Sequence, residues 1–136
     1  MLPIPSDHRF TMRLRVTDGM IARFFDCTMH RVYATFALVE HAEYAARMAI
    51  RAFLEPHEDA LGTAVRMEHL APTPVGWIVE ITATVTVVEG RRIVCAIVAT
   101  GRNGEIARGE IEQRVVDRER LDAMLASLDD DGSAGA

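Results

Sequence analysis

Apolar and polar positions alternate first over residues 9–17, where Phe10, Met12, Leu14 and Val16 are interleaved with Arg9, Thr11, Arg13 and Arg15. A period of two predicts a strand with one face in water. Asp18-Gly19 interrupts the pattern, residues 20–25 suit a short helical turn, and residues 26–33, which lack a clean period, are expected to form a loop or lid. The period then changes. Over residues 34–54, Ala34, Ala37, Leu38, Ala45, Ala49, Ile50 and Phe53 recur at helical spacing and predict one long helix. Alanine dominates this face, which lets a sheet approach closely. Glu55-Pro56 ends the helix, because proline disfavours helical geometry in the residue before it.

Strand patterns return after the polar connector His57-Glu58-Asp59. Residues 61–70 form one strand, closed by Ala71-Pro72-Thr73-Pro74. Trp77, Val79, Ile81, Ala83, Val85 and Val87 alternate with mostly polar partners and mark a second. Glu89-Gly90 turns the chain into residues 91–100, where Ile93, Val94, Ile97 and Val98 are apolar on both faces and predict burial on both sides. Asn103-Gly104 is a second hairpin turn, followed by a strand over residues 105–116. Asp117 is placed to cap a short helix through Leu125, and residues 129–136 read as a disordered tail after one domain over residues 1–128. Strand, long helix, then four strands joined by hairpins predicts an α+β chain. A curled antiparallel β-sheet wrapped around one long central α-helix buries that helix best. This architecture is the hot-dog fold. Its open sheet edges favour pairing with a second copy, so a homodimer with sites at the subunit interface is expected.

Composition adds exclusions. At 136 residues the chain can form one core without staples. A net charge of -5 disfavours nucleic acid as a partner. All 15 basic residues are Arg, which excludes a lysine nucleophile, a Schiff base and a P-loop. Cys27 and Cys95 lie far apart and outside metal-ligand spacing, so neither a disulfide framework nor a metal site is expected. The first residues show no signal peptide and no apolar run is long enough for a membrane span, so a cytoplasmic protein without a membrane partner is expected.

Candidate chemistry lies on the helix and the strand after it. Thr35 and Glu43 are eight residues apart on the helix, roughly 80° around it and about 12 Å along it, so a substrate lying along the helix could meet both. His69 shares a strand face with Val65 and Met67. Each has a plainer explanation. Thr35 suits a capping hydroxyl, Glu43 suits an ion pair with Arg47 one turn on, and His69 suits a hydrogen-bonded core histidine. Glu40 and His41 read as helix surface and Cys95 as inert packing.

Motifs in order across the chain weigh more than any one residue. Val32-Tyr33-Ala34-Thr35, Glu43-Tyr44-Ala45, Leu54-Glu55-Pro56 and Leu61-Gly62-Thr63 are followed by His69, Ala71-Pro72-Thr73-Pro74-Val75-Gly76 and Val88-Glu89-Gly90-Arg91-Arg92. This series, over residues 32–116, resembles the hot-dog thioesterase family that includes the fluoroacetyl-coenzyme A thioesterase. The resemblance implies hydrolysis of the thioester of a small acyl-coenzyme A through a Thr/Glu/His set, which falls on Thr35, Glu43 and His69. Glu43 would attack the acyl carbonyl or activate water, His69 would move the proton, and Thr35 would orient the reacting groups. Gly62 would supply a main-chain N–H to the oxyanion, and Tyr33, Phe36, Met29 and Gln113 would contact substrate. No cofactor is implied beyond coenzyme A as part of the substrate, and its phosphates would meet Arg91, Arg92 or Arg108. The chain departs from the family at Gln113, where the fluoroacetate specialist carries Arg, and in a shorter lid over residues 26–31. Two rivals stand beside the hydrolase. One is a non-catalytic protein of this fold that binds an acyl thioester or other small ligand. The other is an enoyl-thioester hydratase, whose Asp/His segment is not found here.

Overall fold

The computed structural model describes residues 1–135. It contains strands β1 (Arg9–Arg15), β2 (Ile21–Phe24) and β3 (Cys27–Tyr33), helix α1 (Thr35–Arg51), strands β4 (Glu58–His69), β5 (Ile78–Glu89), β6 (Arg92–Gly101) and β7 (Gly104–Asp117), and helix α2 (Arg118–Gly135). Five strands form one antiparallel sheet in the order β1-β5-β6-β7-β4, and β2 pairs with β3 in a separate hairpin. The large sheet packs its inner face on α1, the hot-dog architecture expected from the hydrophobic pattern.

Small residues explain how close the helix lies. Ala42, Ala45, Ala46 and Ala49 face the sheet fully buried, with Leu38 and Ile50 filling the wider gaps between them. Val79, Ile81 and Ala83 from β5, Ile93, Cys95 and Ile97 from β6, and Ile111 and Val115 from β7 meet them. Alternation along each strand puts these residues on one face. The outer face of β6 is only partly covered, since Val94 is buried but Val98 is 39% exposed, so burial on both sides holds for half the strand. Gly90 and Gly104, at φ of 60° and 113°, make the two tight turns that glycine permits.

Three expectations need correction. The expected helical turn over residues 20–25 is displaced to a single 3-10 turn at Asp18–Met20, and residues 21–33 form the β2–β3 hairpin rather than an irregular lid. Phe25 turns it at φ 54°, and the hairpin is tied down by Tyr33 N–H donating to the Thr73 carbonyl at 2.8 Å. Pairing satisfies backbone groups that a loose loop would leave to water. Second, β4 and β5 do not form a hairpin. β5 pairs with β1, and β4 crosses to the far edge to pair with β7. The connection between them carries Pro72 and Pro74, which have no N–H for a hairpin ladder. Third, α2 begins where expected, with Asp117 Oδ1 accepting from Arg120 N–H at 3.1 Å, but runs to Gly135. A helix once nucleated extends through permissive residues such as Ala126 and Ser127, past the expected end at Leu125. Ala136 lies outside the described residues.

Two local features place the site. The ladder between β4 and β7 shifts register between Gly62 and Ala64, leaving Thr63 as an extra residue in a β-bulge. On either side of it Gly62 pairs with Gln113 and His69 with Ala107, residues whose side chains lie on the buried face of β7. Gly109 lets β7 approach β4, since a Cβ there would lie 2.9 Å from Arg66 C and Met67 Cα.

Candidate active site

The helix start is bare of side-chain capping. Ala34 is the N-cap, extended at φ -75° and ψ 148°, and makes no side-chain cap bond. Thr35 is thus the first helical residue and its hydroxyl is not spent on the helix. It reaches across to the end of β4, where Oγ1 lies 2.9 Å from His69 Nδ1. Burial pushes the His69 pKa below its ordinary value, which favours the neutral imidazole, with one nitrogen a donor and the other an acceptor. Its Nε2 is buried and meets no protein partner. The pair borders a cavity of about 310 Å³ under the β2–β3 hairpin, lined also by Ala22, His30, Val32, Leu70 and Pro72.

Glu43 lies two turns further along α1. Its carboxylate faces Gly62: a methyl built on Gly62 would sit 3.9 Å from Cδ and from both carboxylate oxygens. The expected ion pair with Arg47 does not form. Arg47 instead donates to Asp59 Oδ1 at 2.8 Å and the Ala60 carbonyl at 3.1 Å, and Glu43 has no ion-pair partner among the described residues. Gln113 stands across the strands from Gly62, 4% exposed, with its Nε2 lacking a protein partner. The structure therefore gathers the sequence candidates as two groups on one helix–strand seam: Thr35 with His69, and Glu43 with Gly62 and Gln113. The two groups are about 12 Å apart along the helix. Phe36 and Met29 are half exposed, Phe36 in the first turn of α1 and Met29 on the hairpin, and neither lines the cavity beside His69. Tyr33 lines it but is almost wholly buried.

An imidazole and a hydroxyl beside a small cavity, with a carboxylate further along the same seam, are the group types that acyl transfer to water uses. The model of the fluoroacetyl-CoA-specific thioesterase family matches residues 16–119, a span holding every one of these groups. The chain belongs to this family. The fluoroacetyl-CoA thioesterase of Streptantibioticus cattleyicolor is 39% identical over 94 residues, covering 69% of this chain and 68% of the relative. Among solved structures, a Thermus thermophilus protein described as a thioesterase superfamily member superposes with a TM-score of 0.95 at 32% identity, covering 98% of this chain and 99% of that one. A variant of the fluoroacetyl-CoA-specific thioesterase in complex with fluoroacetate and CoA superposes with a TM-score of 0.77 at 32% identity, covering 86% and 98%.

The present thioesterase holds features that sequence reasoning missed. His41, expected at the helix surface, is half-buried, and its Nδ1 lies 2.6 Å from the Tyr33 hydroxyl. A spacing of eight, two helical turns, was the available signal, but Tyr33 precedes the helix and its direction is set by β3. Of the candidate phosphate ligands, Arg92 pairs with Glu89 at 3.3 Å and Glu112 at 3.4 Å, and Arg108 pairs with Glu105. Arg91 instead lines a cleft of about 390 Å³ with Arg114 and Arg120, floored by Leu61, Leu121 and Met124. Leu61 is the neighbour of Gly62, so this cleft opens at the same end of β4 as Glu43. Glu55, His57 and Glu58 place potential metal ligands within 4.8 Å of one another, but Glu55 and Glu58 hold the Met1 ammonium at 2.8 and 2.7 Å. No helix among the described residues is long and apolar enough to cross a membrane.

Proposed function

We propose that this thioesterase hydrolyses the thioester of a small acyl-coenzyme A to the free acid and coenzyme A, using Thr35, Glu43 and His69. The observation that carries this reading is the 2.9 Å contact of Thr35 Oγ1 with His69 Nδ1 on a small cavity, with Nε2 uncommitted. The Glu43 carboxylate either attacks the acyl carbonyl, forming an anhydride that water then opens, or takes a proton from the attacking water. On either route the oxyanion forms at the carbonyl oxygen, with the Gly62 N–H as its donor. Collapse breaks the C–S bond and leaves the electron pair on sulfur, and the neutral His69 imidazole relays to that thiolate the proton that water gives up. Gln113 presents a neutral amide where the fluoroacetate specialist carries Arg, which supports a small acyl group bound without fluorine selectivity. The cleft of Arg91, Arg114 and Arg120 suits the coenzyme's phosphates, which guanidinium groups grip through paired donors.

The working form is a homodimer. β4 is an edge strand, exposed on both faces from Leu61 to Arg66, with Leu61 and Val65 uncovered. Such an edge pairs readily with its own copy. Antiparallel pairing of two β4 strands exchanges their ends, carrying Glu43 and Gly62 of one copy toward Thr35 and His69 of the other. This joins the two groups that one chain holds about 12 Å apart.

The test is free-thiol release from a panel of short, medium and aryl acyl-coenzyme A esters, with a blank for Cys27 and Cys95. Turnover that collapses in Glu43→Gln and in His69→Ala supports the assignment. Mixing those two variants restores about a quarter of wild-type activity if sites are shared between copies, because half the dimers are mixed and each holds one intact site. No release by the folded wild-type dimer across the panel overturns the hydrolase reading in favour of a binding protein.

A further inference from the structure

Tyr33 is the largest fully buried side chain and carries a polar atom into the core. Its ring lies parallel to His41, with centroids 5.8 Å apart and planes at 13°, and edge-on to His69, with centroids 6.3 Å apart and planes at 79°. Three rings thus run from the flank of α1 to the Thr35–His69 pair. Both ends of Tyr33 are pinned, the main chain by its N–H donating to Thr73 at 2.8 Å and the hydroxyl by His41 Nδ1 at 2.6 Å. His69 has no such anchorage. One hydrogen bond to Thr35 holds Nδ1, and Nε2 has no protein partner, so rotation of the imidazole is limited mainly by the rings and side chains packed around it.

From this we infer that Tyr33, clamped by His41, is a positioning residue that sets the orientation of the His69 imidazole. The inference rests on His69 being an active-site group, as proposed above. Burial raises the Tyr33 pKa above its usual range and lowers that of His41, so the 2.6 Å hydrogen bond between the phenol and His41 Nδ1 joins two uncharged groups. A buried phenol that merely satisfied its hydroxyl would affect stability alone. A clamp that aims His69 affects turnover, and only while His69 is present.

Tyr33→Phe keeps the ring and removes the clamp. It is expected to lower kcat about tenfold, with KM changed less than twofold, because a small misalignment of a reacting group costs rate rather than binding. In a His69→Ala background the same change should have no further effect. His41→Leu should match Tyr33→Phe, while His41→Gln, which keeps an acceptor, should recover most of kcat. A separate arm follows the His69 ring nitrogens by NMR, which needs no turnover. Their resonances should shift or broaden in Tyr33→Phe. Equal losses of kcat with and without His69, or unmoved His69 resonances in a folded Tyr33→Phe protein, would overturn the inference. If wild type turns over no ester, the hydrolase reading fails while the resonances still decide the clamp. Should Tyr33→Phe fail to fold, the two His41 variants carry the same comparison.

Discussion

Gly62→Ala separates the chemistry of the seam from its architecture. The added methyl would lie 3.9 Å from Cδ, Oε1 and Oε2 of Glu43, an ordinary van der Waals separation that displaces nothing. Replacing Gly where the backbone is compatible removes unfolded-state freedom, so the folded protein should gain roughly 0.4–1 kcal/mol. Catalysis should move the other way. A reacting carbonyl has to come within about 3–3.5 Å of its nucleophile, and the methyl occupies the approach to both carboxylate oxygens. Displacing the carbonyl by about 1 Å costs on the order of 100-fold, or about 2.7 kcal/mol of barrier. Thiol-release kinetics should therefore show kcat/KM down about 100-fold, while thermal melts show a midpoint equal to or above wild type. Unchanged kcat/KM would refute the claim that the acyl group passes between Gly62 and Glu43. A collapsed melt would refute the claim that the methyl fits.

Other consequences follow from the same geometry. Thr35→Ala should barely change stability, because the hydroxyl caps nothing, yet lower kcat about tenfold, the worth of one hydrogen bond of about 1.4 kcal/mol; a wild-type kcat would refute the role given to Thr35. Gly109→Ala should cost about 2–4 kcal/mol in denaturant unfolding, because its Cβ meets the backbone of Arg66 and Met67 rather than a side chain that can move. Stability should also fall with acid in two steps. His41 and His69 have lowered pKa values, so the unfolded chain binds more protons as pH drops below about 6.5 and stability is lost there. Glu58 and Asp59, also held low, add a second loss as pH falls below the unfolded carboxylate range near 4. Melts from pH 8 to 3 should show both steps, with the upper one reduced in His41→Leu; a flat profile between pH 7 and 5 would contradict the burial of these imidazoles.

What the sequence made legible was what obeys a period. The alanine face of α1 and the alternation along β5 specify helix and strand without help, and Gly90 and Asn103-Gly104 mark their turns. The β2–β3 hairpin was hidden because its turn, Phe25-Asp26, has neither Gly nor Pro and its strands are exposed on both faces except at Ile21 and near Tyr33, so neither strong punctuation nor alternation announces it. The place of β4 in the sheet was hidden for a different reason. Its length and pattern say strand, but partner choice depends on contacts some 50 residues away. At the site, Thr35, Glu43 and His69 were chosen through ordered motifs, and the pairing of Thr35 with His69 needed the crossover of β4. Arg47 had the right spacing for Glu43 but a better-placed partner in Asp59, which only the fold supplies.

The bulge at Thr63 has a consequence for how this strand can change in length. Gly62 and His69 are seven residues apart, an odd interval, and on an unbroken strand an odd interval sends two side chains to opposite faces. The single extra residue turns odd into even and lets both serve the same side of the sheet. Losing one residue between them would turn His69 outward while leaving its neighbours in the sequence intact. The stretch can therefore be shortened or lengthened in pairs, but a change of one removes the imidazole from the hydroxyl it now meets at 2.9 Å.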